Sequence, residues 1–312
     1  MTAALAKPSA ADLVRAQFAR QKAAVDAALA AVCDGHLAPL DARTADAVRY
    51  GLLGEGKRLR PLLVLAAYEA ASGRDDAVVD DAVALATSIE IVHAYSLVHD
   101  DLPCMDDDDV RRGRPTVHRV YGVAAATAAG LAMVPLAARC ALEGARALGL
   151  PSAAGGAIVR ELMRASGAAG MIGGQQLDLD GEGQAHSLDQ LERIHTAKTG
   201  ALITAAARIG GLAAQTSPER LDALGRYGRA VGLAFQIADD VLDVTATTDQ
   251  LGKTAGRDVA LQKSTYPALL GVDGAMHRAR SLADSACAAL REVGLLTPAL
   301  AYVAEFSVAR RS

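Results

Sequence analysis

The chain has 312 residues, 51% apolar but only 3% aromatic with no Trp, and 36 acidic against 32 basic residues give a formal net charge of −4. That length suits one large domain or two ordinary ones, with enough apolar material for a sizeable core. Alanine and leucine dominate the apolar share, which favours close-packed helices over sheets. The acidic balance argues against a nucleic-acid binder, which carries a basic stripe.

Met1 to Ala11 lacks the basic start and apolar stretch of a secretory signal, and residues 1–10 read as flexible. Ser9-Ala-Ala-Asp12 has the form of a capping box and opens a helix expected to run to Cys33, ahead of Gly35. A second helix is expected over Asp41–Leu53. The turn Gly54-Glu-Gly56-Lys57-Arg58-Leu59-Arg60-Pro61 follows. Its backbone N–H groups and the cations Lys57 and Arg60 suit a phosphate, although a basic surface turn has the same composition and the spacing is not that of a Walker A loop. Helices at Arg60–Ala71 and Asp76–Asp101 come next.

The end of that last helix is the most informative stretch, with six aspartates between Asp100 and Asp109. Ile89, Val92, His93, Ser96 and Asp100 fall at three-and-four spacing on one helical face, apolar at first and acidic at its end. Pro103 breaks the helix and lets Asp106 turn back beside Asp100, and Arg111 and Arg112 follow at once.

Val120 to Ala138 carries no charged residue and approaches the length of a membrane span. Its alanines, glycines and Pro135 fit a buried bundle helix better, expected at Gly122–Leu148, so no stable membrane insertion is expected. Helices at Ala153–Leu177 and Leu188–Gly210 follow, the second bearing His195 and Lys198-Thr199-Gly200. In the next, Pro218–Val244, the run Phe235-Gln236-Ile-Ala-Asp239-Asp240-Val-Leu-Asp243 repeats the earlier design, with Asp239 and Asp243 one turn apart beside the apolar run Val231–Ile237. Lys253 and Lys263 flank the stretch beyond. Helices at Ser264–Gly271, Gly274–Val293 and Thr297–Ala309 precede the basic pair Arg310-Arg311.

No strand pattern, long linker or fixed-period repeat is evident, so the fold class is all-α: one helical bundle with room for a site at its centre. Cys33, Cys104, Cys140 and Cys287 stand far apart without CxxC spacing, as reduced thiols of a cytoplasmic protein do. A charge run alone is usually a solvated face. Two helix-borne aspartate motifs on apolar faces are costly without a cation, and hard oxygen ligands suit Mg²⁺ shared with phosphate oxygens. Cations beside both motifs then act as clamps on that phosphate.

In this order, GKRLRP at Gly56–Pro61, DDLPCMDDDDVRRGRPTVH at Asp100–His118 and GGQQLDL at Gly173–Leu179 form a specific pattern. KTGAL at Lys198–Leu202, FQIADDVLD at Phe235–Asp243, and GK with KSTYP at Gly252–Lys253 and Lys263–Pro267 continue it. The chain thereby resembles the short-chain trans-isoprenyl diphosphate synthases, most of all the bacterial-type farnesyl diphosphate synthases. The resemblance implies a single isoprenoid-synthase domain over residues 1–312, a homodimer, and about three Mg²⁺ between the aspartate motifs. It implies Asp100, Asp106 and Asp239 as metal ligands, supported by Asp101, Asp240 and Asp243. Gly56, Lys57, Arg60, His93 and Arg112 would hold isopentenyl diphosphate, and Arg111, Lys198, Lys253 and Lys263 the allylic diphosphate. Lys198, Thr199 and Gln236 would stand at the reacting carbons.

Tyr95 with Ser96, about 7.5 Å along an ideal helix from Asp100, and the two extra residues of the first motif would stop growth at farnesyl diphosphate. Glu55 departs from the glycine common in the family and adds a negative charge beside the phosphate turn. Geranyl or geranylgeranyl diphosphate as product, a terpene cyclase and a non-catalytic synthase subunit are the alternatives. Cyclases need no isopentenyl diphosphate site, and such subunits typically lose one aspartate motif.

Overall fold

Side-chain caps start the helices close to where the sequence supplies them. The computed structural model describes residues 9–73, 80–181, 183–245 and 264–309. Helix α1 (Ala10–His36) opens on a reciprocal cap: Asp12 N–H donates to Ser9 Oγ, and Ser9 N–H to Asp12 Oδ2, both at 3.2 Å. It runs through Gly35, which lies on the exposed face, and the added turn returns Leu37 to the core. Asp41 caps α2 (Ala42–Leu52) by accepting from Thr44 N–H at 3.0 Å. Helix α3 (Leu59–Ser72) has no side-chain cap; Arg58 before it lies in the left-handed region at φ 52°, ψ 33°.

A short 3₁₀ turn (Asp80–Ala82) leads into α4 (Val83–Asp100), then the hairpin β1 (Val110–Arg111) and β2 (Arg114–Pro115). Helices α5 (Val117–Tyr121), α6 (Val123–Ala147), α7 (Ser152–Ser166), α8 (Met171–Asp180) and α9 (Leu188–His195) follow. A π-helical turn, Thr196–Gly200, joins α9 to α10 (Ala201–Ala213). The chain continues through α11 (Pro218–Thr245), α12 (Tyr266–Glu292) and α13 (Pro298–Ala309).

Two features depart from the sequence reading. The single helix expected at Ala153–Leu177 is two, because Gly167 is extended at φ −82°, ψ −162° and the flexible Gly167-Ala-Ala-Gly170 stretch turns the chain. The break expected at Gly271 is there: its φ of 71° and ψ of 163° leave helical geometry and kink α12 at that residue. The two-residue hairpin was not expected, because strands that short show no alternation.

The fold is all-α apart from that hairpin, and α4 is its centre, with twelve buried residues between Val83 and Val98. It packs chiefly against α6, while α11 lies along α12 and α10 sits between α3 and α11. Helix α6 reaches α4 closely because it presents Ala125, Ala126, Ala129, Ala137 and Ala141 to the core. Among the described residues α6 is the one helix long and apolar enough to cross a membrane. Its inner face is buried in the bundle, and Leu131 (63% exposed), Pro135 and Leu142 lie on the outer face.

Helix α13 is tied to α11 by one buried hydrogen bond, Tyr227 Oη donating to the Leu300 carbonyl at 2.7 Å. Tyr227→Phe leaves that carbonyl without its partner and is expected to cost about 2 kcal/mol of unfolding free energy. Urea denaturation measures it, and an unchanged midpoint would show that the bond contributes nothing.

Candidate active site

Helix α4 ends at Asp100, and the following loop folds back over that end. Asp106 N–H donates to the Asp100 carbonyl at 2.8 Å, and Asp107 N–H to that of Leu102 at 3.1 Å. Asp106 therefore stands beside Asp100, the return expected from Pro103, and both line a cavity of about 420 Å³. Burial pushes the Asp100 carboxyl up to about 6, with Lys198 opposing the rise and Asp106 adding to it. Asp101 is buried and turned to Arg111, whose Nε donates to Asp101 Oδ1 at 2.6 Å; Asp108 lies 3.4 Å from the same guanidinium. Asp101 and Asp108 thus hold Arg111 at the cavity wall.

Helix α11 brings Gln236, Asp239 and Asp240 to the cavity. Thr199 Oγ1 donates to Gln236 Oε1 at 2.9 Å, and Gln236 Nε2 to Asp240 Oδ1 at 3.1 Å. Asp240 Oδ2 in turn accepts from Tyr266 N–H at 3.1 Å, which fixes the relay to the start of α12. Asp243 is buried one turn on and does not line the cavity. The π turn carries Lys198 and Thr199 into the site, and Lys198 Nζ reaches Asp178 Oδ2 at 2.6 Å. Helix α8 lies tightly on this turn: a Cβ on Gly174 would come within 2.1 Å of Lys198 N. Lys253 and Lys263 lie outside the described residues.

Arg60 and His93 form the basic part of the wall. Arg60 Nε is buried with no hydrogen-bond partner among the described residues. Desolvation brings Arg60 down to about 10, with Glu90 opposing and Arg112 adding. The same desolvation, with the charges of Arg60 and Arg112, pushes His93 well below the usual imidazole range. Behind them Arg58 is buried between Asp26 (Nε–Oδ1 2.7 Å) and Glu90 (Nη1–Oε1 3.0 Å), and donates to the Gly54 carbonyl at 2.6 Å. Arg112 donates to the Glu55 carbonyl at 2.5 Å, and Gly56 sits against the Arg112 tip, where a Cβ would be 2.7 Å from Nη1. Lys57 lays its amine over the Phe306 ring of α13 at 5.6 Å. Gly56, Lys57 and Arg112 are not among the residues that line the cavity.

Tyr95 and Ser96 line the cavity one turn before Asp100, and Met171, Ile172 and Leu202 supply its apolar part. Sequence reasoning passed over Arg58, Glu90, Gln175, Asp178 and His99. Gln175 lines the cavity with both amide atoms unpartnered among the described residues, and it and Asp178 belong to the GGQQLDL motif, where they were visible. Glu90 was visible too, as a lone charge in the apolar run Ser88-Ile-Glu90-Ile-Val92. Among the described residues no three carboxylates, histidines or cysteines converge as a closed metal cage. Magnesium needs none, since it takes a few carboxylates and completes its shell with phosphate oxygens and water.

The polyprenyl synthetase family matches residues 41–294. The chain is 47% identical over 270 residues to a farnesyl diphosphate synthase of Escherichia coli (strain K12), covering 85% of this chain and 88% of that one. It is 45% identical over 240 residues to geranylgeranyl pyrophosphate synthase 9, chloroplastic, of Arabidopsis thaliana; this covers 76% of the chain but only 65% of that longer relative. The fold matches a geranyltransferase from Helicobacter pylori complexed with magnesium and isoprenyl diphosphate, at a TM-score of 0.79 and 30% identity over 98% of both chains.

His93 is neutral in the folded protein and titrates near 6.5 once unfolded, so its contribution to stability is present above about pH 6.5 and is lost as pH falls below it. In His93→Gln, unfolding free energy should fall less steeply between about pH 6 and pH 5, by about 1.4 kcal/mol per pH unit. Equal slopes in urea melts of both proteins would mean that His93 protonates freely in the fold.

Proposed function

The chain belongs to the polyprenyl synthetase family and is a prenyltransferase; on that premise we propose that it makes (2E,6E)-farnesyl diphosphate. The reaction is the head-to-tail (1'-4) condensation of isopentenyl diphosphate with dimethylallyl and then geranyl diphosphate. One observation carries this reading: aspartates from α4 and from α11 line one cavity, with cations set among and behind them. Asp100, raised to about 6 by burial and by Asp106 against the opposing charges of Lys198 and Arg111, is with its neighbours a hard carboxylate set that fits Mg²⁺. Asp100, Asp106 and Asp239 are the residues to hold it, about three ions in all. Bound Mg²⁺ supplies Lewis-acid stabilisation of the diphosphate leaving group.

The chain's own residues do the rest. The allylic C1–O bond breaks and its electron pair leaves on the diphosphate, whose added charge Arg111 and Lys198 take up, with Lys253 and Lys263 assigned there by family resemblance. Arg60, whose buried Nε has no partner among the described residues, and His93, held well below the usual imidazole range, receive the diphosphate of isopentenyl diphosphate, backed by Gly56, Lys57 and Arg112. The double bond of that substrate gives its electron pair to C1 of the allylic cation, forming the new C–C bond. The resulting cation loses a C2 proton, and the departed diphosphate accepts it. Thr199 commits its hydroxyl proton to Gln236, so the oxygen lone pairs remain for the cationic carbon. Met171, Ile172 and Leu202 keep water from quenching it.

The relatives include both a farnesyl and a geranylgeranyl synthase. Tyr95, 9% exposed and lining the cavity one turn from Asp100, favours the shorter product. Leu131, Pro135 and Leu142 make an exposed apolar stripe on α6, which supports a homodimer joined there. Four unpaired cysteines agree with a cytoplasmic enzyme.

The test is a product assay with purified protein, Mg²⁺, labelled isopentenyl diphosphate and each allylic starter. A dominant fifteen-carbon product is expected, abolished by chelation and lowered by at least about a hundredfold in Asp239→Ala. A twenty-carbon product would move the stop away from Tyr95, and no condensation with either starter would sink the reading. Tyr95→Ala should lengthen the product, and an unchanged profile would remove that side chain as the floor.

A further inference from the structure

Tyr95 does not close the cavity by itself. His99, one turn further along α4, lines the same space, and its ring meets Tyr95 edge-to-face with centroids 5.0 Å apart at 75°. What fixes that imidazole lies on the neighbouring helix. His99 Nε2 is 3.1 Å from the Thr127 carbonyl of α6. A carbonyl only accepts, so Nε2 carries the proton of this bond. One turn further along α6 the ring fills the place a side chain at Gly130 would take: a Cβ there would lie 2.0 Å from His99 Nε2 and 2.3 Å from Cδ2. Gly130 is buried, and its backbone is ordinary α-helix, so the glycine is needed for space and not for conformation.

We infer that Gly130 is a specificity-determining residue that acts through His99: it is a notch in α6 that receives the imidazole and sets how far the ring reaches into the space of the growing chain. The inference rests on the chain-elongation reading above and adds to it a control point that does not itself line the cavity. A methyl group at 130 leaves the ring one way to go. The α6 backbone blocks one side and buried Tyr95 the next, while the cavity is open. The imidazole then narrows the space beside Tyr95, which a short allylic chain does not reach and a longer one does. Room for one methyl or methylene is worth about 10- to 200-fold in discrimination.

The experiment compares kcat/KM for geranyl and dimethylallyl diphosphate, with product lengths, in wild type, Gly130→Ala, His99→Ala and the double variant. In Gly130→Ala the geranyl-to-dimethylallyl ratio should fall by about tenfold, and ten-carbon product should accumulate. In His99→Ala the ratio should not fall and products should lengthen. Adding Gly130→Ala to His99→Ala should then change neither, because the methyl group has no ring to displace. A loss of stability alone would lower both starters together. An unchanged ratio in Gly130→Ala, or the same fall with His99 already removed, would overturn the inference. If Gly130→Ala does not fold, His99→Ala decides the matter, and an unaltered product profile overturns it. A wild-type chain that condenses neither starter would instead bring down the underlying reading, and is distinguished by that result.

Discussion

The site depends on the private pairing of buried opposite charges. A cavity that gathers carboxylates from two helices and cations from several others would neutralise itself by collapse if the groups were free to meet. Three of the cations instead have carboxylates of their own: Arg111 with Asp101, Lys198 with Asp178, Arg58 with Asp26 and Glu90. Such pairs add little net stability, because desolvation offsets much of the attraction, but removing one partner is severe. Their effect here is positional. They hold the cations at the wall and leave Asp100, Asp106 and Asp239 facing the cavity.

Helix direction sharpens the demand for a counter-charge. Asp100 is the last residue of α4, and Asp239, Asp240 and Asp243 lie in the closing turns of α11. The C-terminal end of a helix carries partial negative charge and disfavours carboxylates. Burial and the neighbouring charge of Asp106 act against the ionised form of Asp100, and its rise is the visible result. A cation relieves both at once. The apolar length of α4 makes this tolerable, since a helix buried over almost every turn cannot shift its end to solvent.

The part of this that was legible in the sequence is the part encoded locally. The three-and-four spacing up to Asp100, the break at Pro103, the aspartates of the Phe235–Asp243 run and the cap at Ser9 are all relations within a few residues. They yielded the bundle and the two faces of the cavity. What escaped depends on distant partners. Lys57 reads as a phosphate cation by its neighbours, yet its amine lies over Phe306 from the far end of the chain. Glu90 acquires meaning only from Arg58, 32 positions away, and Asp178 only from Lys198. The widened turn at Thr196–Gly200 leaves the apolar spacing nearly unchanged, so periodicity passed through it.

The alanine and glycine face of α6 has a consequence beyond packing. Large side chains in a pocket wall can be exchanged only in coarse steps, since each swap leaves a void or a clash. Here the helix behind the wall is built from Ala125, Ala126, Ala129 and Gly130, the smallest side chains available. Codons for glycine, alanine and valine differ from one another by single bases. On the reading proposed above, the space beside Tyr95 would be adjustable one methyl group at a time by point mutation, without disturbing the charged mouth. A lineage carrying this scaffold would then drift between product lengths in small steps.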